Sequence, residues 1–491
     1  MIQIHFIWLF CQQLLAAPSF LVSVVRVPQS RRMKLPAILF SVFLPLFLSA
    51  QTPKTREQIP NLTELPDSTA ELQRQINENG GNLLLGNEEF YRITSTLEFD
   101  LAKHGAAKLK SVGGATIVMD GPGPAIRFLG SHEGTASPKS FKPATWNERM
   151  PIISGIEILG AHEKADGIEL AQTVGAIVNR VSVRWCRHGI HLVNRNRNVV
   201  VSDCHLYENS DVGLYLDDVN LHQINVSNSH ISYNREGGIV VRDGNVRNLQ
   251  VTGCDIEGNM PADETPTRAA NILIDVSGSA EDKSKSIAEI AITGNTIQHS
   301  ANYSGDEAKT VAPGGANIRL AGKAIYEIDS VTISGNVISD TSVSIDIDYA
   351  HDVAISSNVF FAPKPENLRV TNSQRVVLSG NTFNPRQFSR PGTITFKNCA
   401  DCVIASSTLH KFETPDGALI LEGCSGFTIN GLNLSDCGSG IVLRDSTDTT
   451  ISNCRATRTP NGISVDASNR GILLNGNAFG ADQAVDPKAV R

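Results

Sequence analysis

The chain has 491 residues, of which 41% are hydrophobic, 19% charged and 6% aromatic, with a formal net charge of −7. That is apolar material enough for a large core, which excludes wholesale disorder. The acidic balance excludes a nucleic-acid binder, which needs a basic face. The 40 Gly and 36 Asn enter positive φ at least cost, so many tight turns are expected.

None of those Asn lies in residues 1–50, a stretch with two apolar runs separated by Arg26, Arg31, Arg32 and Lys34. The second run follows Met33-Lys-Leu-Pro and ends in small residues before Gln51. A basic start, an apolar middle and small residues at the end make a Sec-type signal peptide, with Met33 as the expected true start and Ala50 as the last residue removed. His5, Gln12, Gln13 and Pro18 disfavour a membrane anchor built from the first run. The mature protein is therefore expected to be secreted, periplasmic or on the cell surface, without a stable membrane span.

Residues 51–114 read as an N-terminal cap. A helix is expected over 67–80, with Asp67 or Ser68 as N-cap, Leu72 and Ile76 on one face and Gly80 as its stop. The stretches Gly81-Asn-Leu-Leu-Leu and Phe90-Tyr-Arg-Ile-Thr-Ser-Thr-Leu read as the first strands.

From 115 to 480 one phrase recurs, as in Asp166-Gly-Ile-Glu-Leu, His188-Gly-Ile-His-Leu, Val212-Gly-Leu-Tyr-Leu and Ala316-Asn-Ile-Arg-Leu. Most repeats are 22 to 25 residues apart, with two long intervals of 33 and 46 in the middle. A second phrase, Ile/Leu-Ser/Thr-Gly-Asn, places Asn295, Asn336, Asn358 and Asn381 at one recurring bend. Three short strands per repeat close one turn of an all-β, right-handed parallel β-helix of about 13 coils, stacked about 4.8 Å apart. The Asn series is expected to form a structural ladder. Residues 481–491 are left as a tail.

The entry phrase Asp67-Ser-Thr-Ala-Glu-Leu-Gln, then Asn79-Gly-Gly-Asn-Leu-Leu-Leu and Tyr91-Arg-Ile-Thr-Ser-Thr-Leu, resembles the opening of the pectate-lyase-like superfamily. With the coils, this resemblance covers about 67–480. It implies that substrate lies along one sheet in a groove flanked by loops, and the Gly-Ile-x-Leu strands fit that sheet. The superfamily holds lyases, hydrolases, epimerases, tailspikes and proteins without known activity, so fold alone does not choose among them.

Insertions at 259–269, 276–286 and 299–315 cluster around the strands at 271–275 and 317–321, and long turns on a solenoid form functional walls. The outward positions on these and neighbouring coils are Glu169, His191, Tyr215, Asp217, Val240, Arg242, Leu273, Asp275, Arg319, Asp346 and Asp348. A lyase acting on an acidic polysaccharide needs a group to neutralise the uronate, a base for the C5 proton and an acid for the leaving oxygen. Asp217, Asp275, Asp346 and Asp348 have the oxygen chemistry for calcium, and Arg242 and Arg319 can clamp a carboxylate. The superfamily's pectate lyases use an Arg as base, and Arg319 between Asp275 and Asp346 resembles such a position. His191 and Tyr215 form a second base/acid pair.

A hydrolase would use Asp275 and Asp346, about 9.6 Å apart at Cα if two coils separate them. The Asn-Thr-Asp, Gly-His-Gly and Arg-Ile-Lys motifs of polygalacturonases and the Asp-Pro-His signature of alginate epimerases are absent. A non-catalytic glycan-binding or surface rod is a third reading. Eight Cys remain after signal removal, and Cys399 and Cys424, equivalent on adjacent coils, are in range of a disulfide.

Overall fold

A computed structural model describes residues 61–491 apart from 88, 135–137, 262–264, 280–285, 301–310, 327, 363, 387–391, 480–482, 486–487 and 491. The expected export segment at 1–50 lies outside the described residues, as do parts of all three insertions.

The helix runs Thr69–Glu78 and buries Leu72 and Ile76. Asp67 accepts from the Thr69 amide at 3.0 Å, closing the first turn from one residue before the Ser68 cap position. Beyond it the chain winds into a right-handed parallel β-helix of about 14 turns, against the 13 or so expected. One face is a single sheet of fifteen strands in sequence order, from Leu97–Asp100 to Gln483–Val485. It therefore begins before the boundary at 115 and continues past 480. The other strands of each coil join a 27-stranded sheet. Every named strand pairing is parallel, for instance Val343–Asp348 with Ala316–Ala321 and Glu366–Thr371.

The interior is a continuous column of Ile, Val and Leu, broadened by stacked Phe360 and Phe383, whose rings lie 4.4 Å apart. Narrow coils leave little room for larger side chains, which accounts for the low aromatic content. The expected Asn ladder is present: the side-chain amides of Asn295, Asn336 and Asn358 each donate to the carbonyl of the next Asn at 3.0 Å. A second ladder, not expected from sequence, runs Asn209–Asn234–Asn259–Asn271–Asn317 with links of 2.7–2.9 Å. It runs along the entry to the fifteen-stranded face, from Asn209, Asn234 and Asn259 in the preceding turns to Asn271 and Asn317 at the second positions of their strands. Its members have irregular sequence spacing because the insertions fall between them, which hides the period. In both ladders a buried amide that would otherwise be costly satisfies the next coil.

All eight described cysteines are buried and free. Cys399 and Cys424 do sit side by side, with the Cys424 thiol against that of Cys399 pushing the latter's titration upward. The disulfide that their equivalent positions allow is not formed.

Candidate functional site

Strand register decides which outward side chains meet. On the fifteen-stranded face one row reads Glu98, Arg127, Glu169, His191, Tyr215, Val240, Leu273, Arg319, Asp346, Arg369. A parallel row two residues on includes Asp217, Arg242, Asp275, Ala321 and Asp348. The outward positions read from alternation are thus the ones observed, but their neighbours differ from expectation.

Three aromatic rings gather on the coils of Ile190–Val193 and Val212–Asp217. His191 and Tyr215 stack nearly parallel, 5.1 Å between centroids and 6° apart. His188 packs against both, at 5.0 and 5.1 Å. His191 Nε2 lies 3.1 Å from Asp217 Oδ2. Hydrogen bonds from His191 and then from Tyr215 hold the Asp217 carboxyl below the usual carboxylate range, with burial opposing them. Burial, reinforced by the Asp217 charge, pushes the Tyr215 phenol well above its ordinary value. Asp217 is therefore an anion that orients His191, and Tyr215 keeps its proton at neutral pH. Arg242, next to Asp217 in register, is exposed and has no ion pair among the described residues.

Sequence reasoning treated His188 only as the first residue of a strand phrase. It is buried, with Nε2 3.6 Å from Asp211 and Nδ1 without a hydrogen-bond partner. Desolvation lowers its affinity for a proton, with Asp211 opposing. Asp166 fixes this corner by accepting from the His188 amide at 3.1 Å and from two Arg187 nitrogens at 2.9 and 2.6 Å. The signal was available: of the twelve phrase-opening residues only Asp166, His188, Glu366 and Asp416 titrate, and His188 is the one imidazole among them.

The other expected site residues do not join this group. Arg319 aligns with Leu273 and Asp346, not with Asp275, which aligns with Ala321. Its guanidinium is buried, holds Asp346 at 2.9 Å and donates to the backbone carbonyls of Arg268 and Gly314. Those bonds tie two turn segments to the sheet, which makes Arg319 a structural clamp and unsuits it as a base. Asp346 is held by this clamp and lies near Arg369, 3.9 Å away. Asp275 accepts from the Ser277 amide and hydroxyl at 2.9 and 2.6 Å, and Asp348 from Thr371 and Asn372 at 2.7 and 2.8 Å. Asp275, Asp346 and Asp348 are separately committed. Among the described residues no three His, Cys, Asp or Glu side chains come together as a metal site. The expected calcium set is therefore not assembled, and the Asp275/Asp346 hydrolase pair lies on different rows.

Residues 130–134 and 138–150 follow the strand Gly123–Leu129 of the same face and include the short 3-10 helices Pro138–Ser140 and Pro143–Glu148. His132 is buried there, stacked 4.6 Å from Phe141, which stacks 4.7 Å from Trp146. Burial, then the charges of Arg195 and Arg197, lower the His132 titration to about 4. Between that value and the ordinary His value near 6.5 the unfolded chain binds the extra proton, so stability is complete above about 6.5 and falls as pH drops toward 4. His132→Phe, which keeps the ring stack and removes the titration, is expected to lose less thermal stability than the wild type between pH 7 and pH 4.5. Parallel thermal melts at the two pH values check this, and equal losses would refute it.

A cleft of about 810 Å³ lies away from this group on the 27-stranded sheet, lined by Lys110, Glu157, Arg180, Asp203 and His205 among others.

Comparison with known proteins adds the following. A family model described as right handed beta helix region matches residues 151–297, and one described as periplasmic copper-binding protein (NosD) matches 288–490. No curated protein matches the sequence. Tailspike protein 3 of bacteriophage CBA120 is 12% identical with a TM-score of 0.49, over 85% of this chain and 60% of that one. The A-module of an Azotobacter vinelandii mannuronan C-5 epimerase is 13% identical with a TM-score of 0.30, over 87% of this chain and 96% of that one. The catalytic unit of a GH87 alpha-1,3-glucanase from Streptomyces thermodiastaticus is 15% identical with a TM-score of 0.39, over 87% and 66%. This chain thus spans less than two thirds of the tailspike and of the glucanase.

Copper favours imidazole and thiolate donors. Within 288–490 Cys399, Cys402, Cys424, Cys437 and Cys454 are buried, His299 lies between Glu257 and Asp340 at 3.8 and 3.7 Å, His351 lies beside Asp352 and His410 beside Ser435. Cys399 and Cys424 are neighbours, with Cys402 near them, but among the described residues no group of three or more His, Cys, Asp or Glu is arranged to hold a metal ion, so they do not fit a copper centre. No helix among them is long and apolar enough to cross a membrane. The chain is a right-handed parallel β-helix repeat protein, the architecture that its resemblance to the pectate-lyase-like superfamily implied.

Proposed function

We propose that this is an extracytoplasmic polysaccharide lyase acting on a uronate-containing glycan, with its centre at His191, Tyr215 and Asp217. The observation that carries this reading is the stacked His191–Tyr215 pair sharing the Asp217 carboxylate at 3.1 Å from the imidazole. β-Elimination needs one group to take a proton and another to give one, on neighbouring atoms of the sugar. With Nε2–H turned to Asp217, His191 presents the Nδ1 lone pair as base for the C5 proton. The C–H electron pair becomes the C4=C5 double bond and the C4–O4 bond breaks. Tyr215, still protonated, supplies the proton to the departing O4. Asp217 holds the Nε2–H of His191 throughout, and the cycle closes when His191 releases the proton from Nδ1 to solvent and the Tyr215 phenolate takes one from solvent.

Arg242 is the cation placed to meet the uronate carboxylate. A charge-assisted hydrogen bond is worth about 1.5–3 kcal/mol, roughly a factor of ten to a hundred in binding. The test compares a uronate polysaccharide with the same polymer after reduction of its carboxyls. The wild type is expected to cleave only the charged form. Arg242→Ala is expected to raise KM on it about ten- to a hundredfold with a smaller change in kcat. An unchanged KM, or equal cleavage of both polymers, would refute the assignment.

A further inference from the structure

The outward row that carries His191 and Tyr215 is open on one side of them and closed on the other. Toward the N-terminus exposure rises along Glu169 and Arg127 to Glu98, whose side chain is 45% exposed. Toward the C-terminus the next two members of the row, Val240 and Leu273, are 0% and 2% exposed although they stand on the outer surface of the sheet. They pack with Val212, Ala270, Ala316 and Val343 into an apolar cluster outside the main core, and the Tyr215 ring leans on it.

The turn segments that close this region are knit together. Met260, Ala269 and Ala312 form their own small core, the Thr267 amide donates to the Pro313 carbonyl at 2.8 Å, and Arg319 pins Arg268 and Gly314. Arg319 stays buried, and the row opens again through Asp346, 15% exposed, to Arg369, 38% exposed. Tyr215 therefore stands at the foot of a wall.

Charge tells the same story independently. A groove that holds a run of uronates needs a run of unpaired cations. On the open side Arg127 is already bonded to Glu169 at 2.6 Å, and Arg187 is bonded to Asp166. Arg242 is left to read one carboxylate.

The geometry points to exo action: the site takes the terminal sugar of a uronate chain, with the rest of the polymer leading away over Glu169, Arg127 and Glu98. This deepens the lyase reading and rests on it. A continuous glycan cannot pass over Val240 and Leu273, so internal bonds do not reach His191 and Tyr215.

The test uses the wild-type protein on a long uronate polysaccharide, following viscosity and product size together from the first turnovers. Exo action predicts a single small unsaturated product from the start, viscosity nearly unchanged until a large share of the bonds is broken, and resistance of chains chemically blocked at both ends. A ladder of intermediate oligosaccharides with early collapse of viscosity overturns exo action and leaves the lyase reading standing. Absence of both cleavage and binding across uronate glycans overturns the two together.

Discussion

Tyr215→Phe is expected to lower turnover on the cleaved glycan by about two to four orders of magnitude, the range for loss of a positioned general acid, while leaving the thermal midpoint close to that of the wild type. The phenol oxygen is the atom required to give up its proton, and burial together with Asp217 keeps that proton in place at neutral pH. The ring has a separate job. It stacks on His191 and packs against the Val212, Val240 and Leu273 cluster, and Phe preserves both contacts. A kcat loss with unchanged KM and unchanged melting places the defect in the chemical step. A variant of wild-type rate would remove Tyr215 from the mechanism.

Arg319→Ala is expected to behave in the opposite way, losing about 3 kcal/mol of stability because it strands a charge. Removing one partner of a buried ion pair leaves the other without compensation, at a cost of about 3–5 kcal/mol, and Asp346 is only partly buried, which sets the expectation at the lower end. The same substitution frees the carbonyls of Arg268 and Gly314 from their clamp. Denaturant unfolding measures the loss directly. Residual activity per folded molecule should stay within a fewfold of wild type, since the guanidinium is engaged far down the row from His191. Stability unchanged with activity abolished would restore Arg319 as a candidate base.

The two substitutions together mark the limit of what was legible beforehand. The repeat phrases contain the fold, because a strand period of two and a coil period near 24 leave few other solutions. Alternation correctly placed every outward residue from Glu169 to Asp348. What alternation does not carry is the environment above the sheet. Val240 and Leu273 point outward yet are covered, and Arg319 points outward yet spends its donors on backbone carbonyls.

Pairing across coils also depends on register to the residue. A difference of two positions put Asp275 beside Ala321 and removed it from the neighbourhood of Arg319. His191 and Tyr215 were visible as a pair because both occupy the same place in consecutive phrases. His188 was overlooked because it opens its phrase at a position where most repeats carry apolar or small residues. The second Asn ladder was hidden for a related reason, since the insertions stretch its spacing while the stacking in space remains regular.

The central claim is that His191, oriented by Asp217 and paired with Tyr215, performs an elimination. The most direct measurement follows ultraviolet absorbance of unsaturated product and release of reducing ends in the same reaction, for the wild type and for His191→Asn, across a panel of uronate polysaccharides. The wild type should raise both signals in step on at least one polymer, and folded His191→Asn should raise neither. Reducing ends without absorbance, or a wild-type rate in His191→Asn, would contradict it.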